Sequence, residues 1–336
     1  MSRSTDYLWD RSGAPDAEVV RLERLLGQIP DYCPVPELGP LPSARPGRGL
    51  RTLPAVALAV AATVVVVLGA AALRVWLTPW TVDTLEGTVR LGQQAVTSPV
   101  RVRSGHVIET GDGSRAMLQV GAIGRIEIAP GSRLRIVTTN RRQHRLALEH
   151  GRVSAVIDAP PRWFIVDTPA ATAIDLGCAY TLEVDSAGHG TLQVREGWVQ
   201  LDGGTYEAIV PEGAMAHLRY GRGPGSPYYQ DASETFKRAL FLIDFGSPAD
   251  VDASLPVLLH EARRRDSLTL LSLLRRLDED HRGHVYDRLV ELLPAPADVT
   301  RDRVVNGDRE AIDRWWKALE LARPRKLYPR LWGMGS

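Results

Sequence analysis

The run Arg115–Ile136, RAMLQVGAIGRIEIAPGSRLRI, decides how the middle of this chain is read. Arg115, Met117 and Gln119 alternate with Ala116, Leu118 and Val120. Arg125 and Glu127 alternate with Ile126 and Ile128, and Arg133 and Arg135 with Leu134 and Ile136. A period of two sends polar side chains to one face of an extended strand and apolar ones to the other. Gly111–Asp112–Gly113 precedes the run and Pro130–Gly131 interrupts it, and both favour tight turns. Short strands joined by tight turns pair antiparallel.

The pattern extends outward from there. Leu146–Leu148 with Val153–Val156, and Ala179–Val184 with Thr191–Arg195, read as further strand pairs, and Trp198–Leu201 follows them. Asn140, Gly188–His189–Gly190 and Gly203–Gly204 punctuate these strands. Residues 80–225 therefore read as an antiparallel all-β domain of short strands, sandwich or solenoid-like. A Glu-Gly-x-apolar motif recurs at Glu86–Val89, Glu196–Val199 and Glu212–Met215, and with one insertion at Glu149–Val153. Glycine at a strand start supplies a tight turn or a bulge.

Beyond this domain the period changes to that of a helix. Phe236, Leu240 and Ile243 share one face. So do Leu255, Leu258, Leu259 and Ala262, as do Val285, Leu289 and Leu292 and, after a cap at Asp308, Ile312, Trp315, Trp316 and Leu319. Asp231 and Glu234 have capping-box spacing. Residues 231–336 read as an all-α domain of helical hairpins.

On the other side lies Leu53–Leu73, LPAVALAVAATVVVVLGAAAL, which contains no charge. About 21 helical residues at ~1.5 Å each reach ~31 Å, the thickness of a bilayer's hydrocarbon core. Residues 52–77 are expected to form one transmembrane signal-anchor helix, with Leu53, Val60, Val67 and Leu73 inside the bilayer. Arg45, Arg48 and Arg51 precede the run, and Arg74 is the one nearby basic residue after it. That bias places the N-terminus in the cytoplasm and the bulk of the chain outside, as a single-pass inner-membrane protein. The cytoplasmic arm, residues 1–51, carries one short amphipathic helix whose Val19, Leu22, Leu25 and Leu26 offer a partner face. A Pro- and Gly-rich linker follows it.

The order of motifs in the β-domain resembles the FecR domain, the ferric-citrate-regulator type of single-pass bacterial envelope protein. The resemblance rests on Thr110, Gly111 and Ser114; on Gly131, Ser132 and Leu134; on Thr168 and Pro169; and on Glu196, Gly197 and Val199. Many members have Gly-Thr-x-Phe after the Thr-Pro, where this chain has Gly177–Cys178–Ala179–Tyr180. The resemblance implies an exported domain that receives a signal and a cytoplasmic arm that holds or activates a sigma factor. The cytoplasmic domain of such regulators is usually several helices, and the pattern here supplies one.

Catalytic and metal constellations are not legible. Asp167–Thr168–Pro169 lacks the Gly that an aspartic-protease loop requires, and no Ser sits in a Gly-x-Ser-x-Gly elbow. His281 and His284 share a helix face without the further ligands a closed metal site needs. Cys33 and Cys178 would lie on opposite sides of the membrane, which excludes an intramolecular disulfide. The formal net charge of +1 over 336 residues gives no global case for nucleic acid. The one basic cluster, Arg141, Arg142 and Arg145, should sit at a hairpin tip and is the candidate exported contact for an anion or an acidic partner. No enzyme and no cofactor is expected. The expected partners are the bilayer, a protein outside and a sigma factor or other regulator inside. The alternative is an envelope scaffold tethered by its transmembrane helix, without signalling output.

Overall fold

The computed structural model describes residues 79–140, 143–204 and 206–319. The chain there is a mostly β domain followed by a helical part. One layer of the β-domain contains β1 (Trp80–Glu86), β4 (Val100–Val102), β6 (Arg115–Val120), β7 (Gly124–Ile128), the second half of β9 (His144–Ile157), β12 (Ala179–Val184), β13 (Gly190–Glu196), β16 (Ala214–Arg219), β17 (Gly223–Pro224) and β18 (Tyr228–Tyr229). They pair antiparallel in the order β4-β1-β6-β7-β9-β12-β13-β16, with β17 and β18 both on β16. The other layer contains β2 (Val89–Leu91), β3 (Gln94–Ala95), β5 (Val107–Thr110), β8 (Arg133–Thr139), the first half of β9, β10 (Phe164–Asp167), β11 (Thr172–Asp175), β14 (Trp198–Asp202) and β15 (Glu207–Pro211). Its order is β3-β2-β5-β8-β9-β10-β11-β14-β15, antiparallel except for β9 and β10. Parallel neighbours need a crossover, and the second half of β9 supplies it by running through the first layer before the chain returns.

The alternation read from the sequence decides what is buried. Val82, Leu118, Ile126, Val153 and Leu182 from the first layer meet Ile108, Leu134, Leu146, Phe164 and Val199 from the second in one core. Two faces, each apolar on one side only, bury themselves against each other, and the result is a sandwich.

Leu146–Leu148 and Val153–Val156 are not a hairpin pair, as expected from the sequence, but parts of one 14-residue strand, β9. The reason lies at Gly151, where φ is +99°. A two-residue hairpin turn of the favoured kind needs a left-handed residue at both central positions. Here a single glycine gives a bulge that passes the strand from one layer to the other. A Cβ at Gly151 would overlap Ser132. The Ser132 hydroxyl fills that space, accepting the Arg152 N–H at 3.0 Å and donating to the Ala129 carbonyl at 2.7 Å.

The other Glu-Gly motifs do the same task. Gly87 joins β1 to β2, Gly197 joins β13 to β14 and Gly213 joins β15 to β16, each crossing between layers at positive φ. A Cβ at Gly87 would overlap Ser114, whose Oγ accepts the Thr88 N–H at 2.9 Å. A Cβ at Gly197 would strike the Gly177 carbonyl and Cys178. The crossings at Gly87, Gly151 and Gly197 each pack against a small residue of another crossing, Ser114, Ser132 and Cys178, while Gly213 faces Arg265.

The helical part comprises α1 (Glu234–Phe245), α2 (Pro248–Glu261), α3 (Ser267–Leu273), α4 (Glu279–Leu292), α5 (Arg301–Val305) and α6 (Arg309–Ala318). Its core gathers Phe236, Leu240, Leu258, Leu271, Val285 and the fully buried Trp315. The start of α1 differs from the expected cap. Ser233 accepts the Phe236 N–H at 3.1 Å, while Asp231 is taken by Arg263 and Arg265. Asp308 does cap α6, accepting from Ala311. Among the described residues no helix is long and apolar enough to cross a membrane. The run holding Leu53, Val60, Val67 and Leu73, the arginines at 45, 48 and 51, and the helix face of Val19, Leu22, Leu25 and Leu26 lie outside the described residues.

Candidate functional site

The β-domain and the helices meet along a satisfied polar seam. Asp244 of α1 is buried and accepts the Ser226 N–H at 2.7 Å and its hydroxyl at 2.9 Å. Burial raises the Asp244 carboxyl above its ordinary pKa, against the pull of Arg276 and the Ser226 hydrogen bonds. Arg276 pairs with it at 3.3 Å, donates to the Pro224 carbonyl at 2.7 Å and lies 4.2 Å from the Tyr206 ring centroid. Thr269 donates to the Pro227 carbonyl at 2.8 Å, and Leu268 of α3 belongs to the sandwich core.

The outer face of the second layer is a ladder of charge pairs. Arg133 meets both Glu109 and Glu149, and Arg135 reaches Glu149 at 3.2 Å. Arg145 grips Asp167 with two hydrogen bonds, at 2.6 and 2.8 Å. Asp167 also accepts from Thr172. Of the basic cluster read from the sequence, Arg145 thus has its charge matched inside the chain, through the parallel pairing of β9 and β10. Arg141 and Arg142 lie outside the described residues.

Beneath β11 sits a buried polar group that no sequence motif announces. The Cys178 thiol donates to Asp175 at 2.7 Å, and the Gly177 N–H donates to the same carboxylate at 2.6 Å. Burial pushes the Asp175 carboxyl up to about 7, against those hydrogen bonds. Burial and the neighbouring Asp175 charge push the Cys178 thiol well up. A thiol held protonated in this way is a poor nucleophile. Tyr180, fully buried nearby in sequence, has a hydroxyl with no partner.

A cleft of about 450 Å³ opens at one end of the sandwich, between the layers, where the chain enters at Pro79. The start of β1, the end of β4, the β6–β7 turn, the β8–β9 hairpin and the approach to β10 all contribute to it. Trp80 and His144, one from each layer, hold their rings 5.4 Å apart. The His144 backbone N–H donates to the Trp163 carbonyl at 2.7 Å, which ties the start of β9 to the approach to β10. Its Nδ1 is buried without a partner, and burial lowers its pKa. Five separate elements build this cleft, so no contiguous stretch of sequence reveals it. Among the described residues no cluster of His, Cys, Asp and Glu has the arrangement of a metal site.

The family model described as FecR protein matches residues 106–200. That segment runs from the loop before β5 into β14 and contains five of the crossing residues named above: Ser114, Ser132 with Gly151, and Cys178 with Gly197. Two crystal structures of candidate anti-sigma factors from Parabacteroides distasonis are similar to parts of the chain at 18% identity. One match covers 40% of this chain and 63% of the other, with a TM-score of 0.33. The second covers 45% and 73%, with a TM-score of 0.32. This chain thus spans less than two thirds of the first structure. No curated protein matches it.

Proposed function

We propose that this protein is a membrane-anchored envelope regulator. The FecR-like sandwich and its helical part lie outside the cytoplasmic membrane and bind a protein partner. The arm before the apolar run controls a sigma factor in the cytoplasm. The observation that carries this reading is the FecR match at residues 106–200, in a chain whose sequence holds an uncharged run at Leu53–Leu73. The Asp244–Arg276 seam adds to it, because a partner bound to the helices would load the sandwich and the chain leading from it. Deleting residues 1–28 should abolish the transcriptional output while membrane insertion persists. Unchanged transcription after that deletion would sink the proposal. A reporter active only outside the cytoplasm, fused after Gly225, should be active on the same reading.

A scaffold role without signalling is favoured by a different observation. The family match ends at residue 200, while the described chain continues through a set of helices from Glu234 to Ala318 that the match does not include. On that reading the helices recruit envelope proteins, and any basic stub can replace the cytoplasmic arm. Separate capture experiments with the full chain displayed from each side of the membrane distinguish the two: a sigma factor inside supports regulation, and envelope proteins alone support the scaffold.

A further inference from the structure

The cleft at the end of the sandwich has a composition suited to one class of ligand. Its walls hold two indoles, Trp80 and Trp163, beside Ile123, and no carboxylate is among the lining residues. Arg101 and Arg103 stand exposed at its rim. Among the described residues neither guanidinium has an ion-pair partner, so both charges at the rim are open to an anion. The unpartnered His144 Nδ1 in the wall is a further sign of incompleteness, since buried polar atoms are ordinarily hydrogen-bonded. A guanidinium matches phosphate oxygens in shape and charge. Tryptophan is the side chain that settles at the level of lipid headgroups, with its ring towards the acyl chains.

The position of the cleft along the chain points the same way. Pro79 lines it, and Leu73 ends the apolar run six residues earlier. Six residues span at most ~22 Å when fully extended. The headgroup layer itself rises ~5–7 Å above the hydrocarbon. If the run spans a bilayer, the connection is short enough for the cleft to reach the headgroups.

We propose that this cleft docks the phosphate of an anionic phospholipid headgroup, with Arg101 and Arg103 on the phosphate and the half-buried Trp163 and Ile123 against the glycerol and upper acyl chain, Trp80 forming the buried floor behind them. The assignment rests on the membrane-anchored reading given above. It makes the cleft the foot on which the β-domain stands.

The test uses the full chain in nanodiscs of phosphatidylcholine alone or with about one third phosphatidylglycerol, read by hydrogen exchange. Amides of residues 101–103 and 121–124 should exchange about fivefold more slowly with the anionic lipid, and salt should weaken the effect. R101Q/R103Q should lose the protection and R101K/R103K keep most of it, while residues 190–219 stay unchanged in every case. Exchange independent of lipid in a chain that stays with the discs overturns the docking and leaves the anchor standing. A chain that leaves the discs in alkaline carbonate overturns the anchored reading and the docking with it. Equal protection by free glycerol phosphate in phosphatidylcholine discs overturns the lipid as the source of the phosphate.

Discussion

The Ser132 hydroxyl accepts the Arg152 N–H in the space that a side chain on Gly151 would occupy. This contact lets β9 change layers without reversing, and it ties the corner after β7 to the middle of β9. Gly151→Ala must both hold an alanine at a φ of +99° and push Ser132 aside. We expect a loss of about 3 kcal/mol in urea unfolding. Gly92→Ala is the control: its φ is +61° but nothing lies within 4 Å, so about 1 kcal/mol is expected. Equal losses would remove Ser132 from the explanation.

Asp175 gives the β-domain a pH dependence of unusual sign for a carboxylate. Its folded-state pKa, about 7, lies above the ordinary 3.8 because burial disfavours the anion. Between those values the folded protein holds more protons than the unfolded one, so stability falls as pH rises and levels off above about 7. Asp175→Asn has no proton to lose. Relative to wild type it should gain on the order of 4 kcal/mol on going from about pH 4 to pH 8, read by urea unfolding at each pH. A difference between the two proteins that does not vary with pH would refute the assignment.

His281 acts in the opposite direction. Its ring nitrogens lie 2.6 Å from Asp278 and 2.9 Å from Asp252, and it clamps the start of α4 to α2. Burial lowers the imidazole pKa, but the hydrogen bonds its ring donates to Asp252 and Asp278 outweigh it and raise the net value above 6.5. The clamp is complete below 6.5 and is lost as pH rises through the raised value. His281→Gln should cost up to about 1 kcal/mol at pH 6 and less at pH 8. A loss that does not shrink with pH would mean the ring acts through packing alone.

The seam offers a test of mechanical coupling. Arg276→Ala leaves Asp244 buried without its cation, and about 3–5 kcal/mol should be lost. Adding Asp244→Asn should restore at least about 1 kcal/mol, since the two residues act as one unit. Limited proteolysis should cut the single variant first between β18 and α1. Additive losses in the double variant would show that the pair is not coupled.

Much of this fold is legible in one sequence, and the limits have physical causes. Period-two alternation marks β6, β7 and β8 because each has one face in the core and one outside. It misreads β9 because a glycine after a polar pair looks the same whether the chain reverses or bulges. The recurring Glu-Gly is visible as a motif, but its meaning as a layer crossing depends on Ser114, Ser132 and Cys178, which approach it only in space. Arg145 reads as a free cation because Asp167 belongs to a strand that joins its own only through a parallel pairing. The mouth cleft escapes for the same reason, being assembled from five elements that no window of sequence contains together.

The double membership of β9 also determines how the molecule comes apart. One half of the strand holds β7 and β12, and the other holds β8 and β10. Neither layer can peel away without breaking the strand that anchors the other, so the most protected amides of both should be released in a single cooperative event. A protein built this way presents a protease with no half-open intermediate: the sandwich is whole, or it is gone.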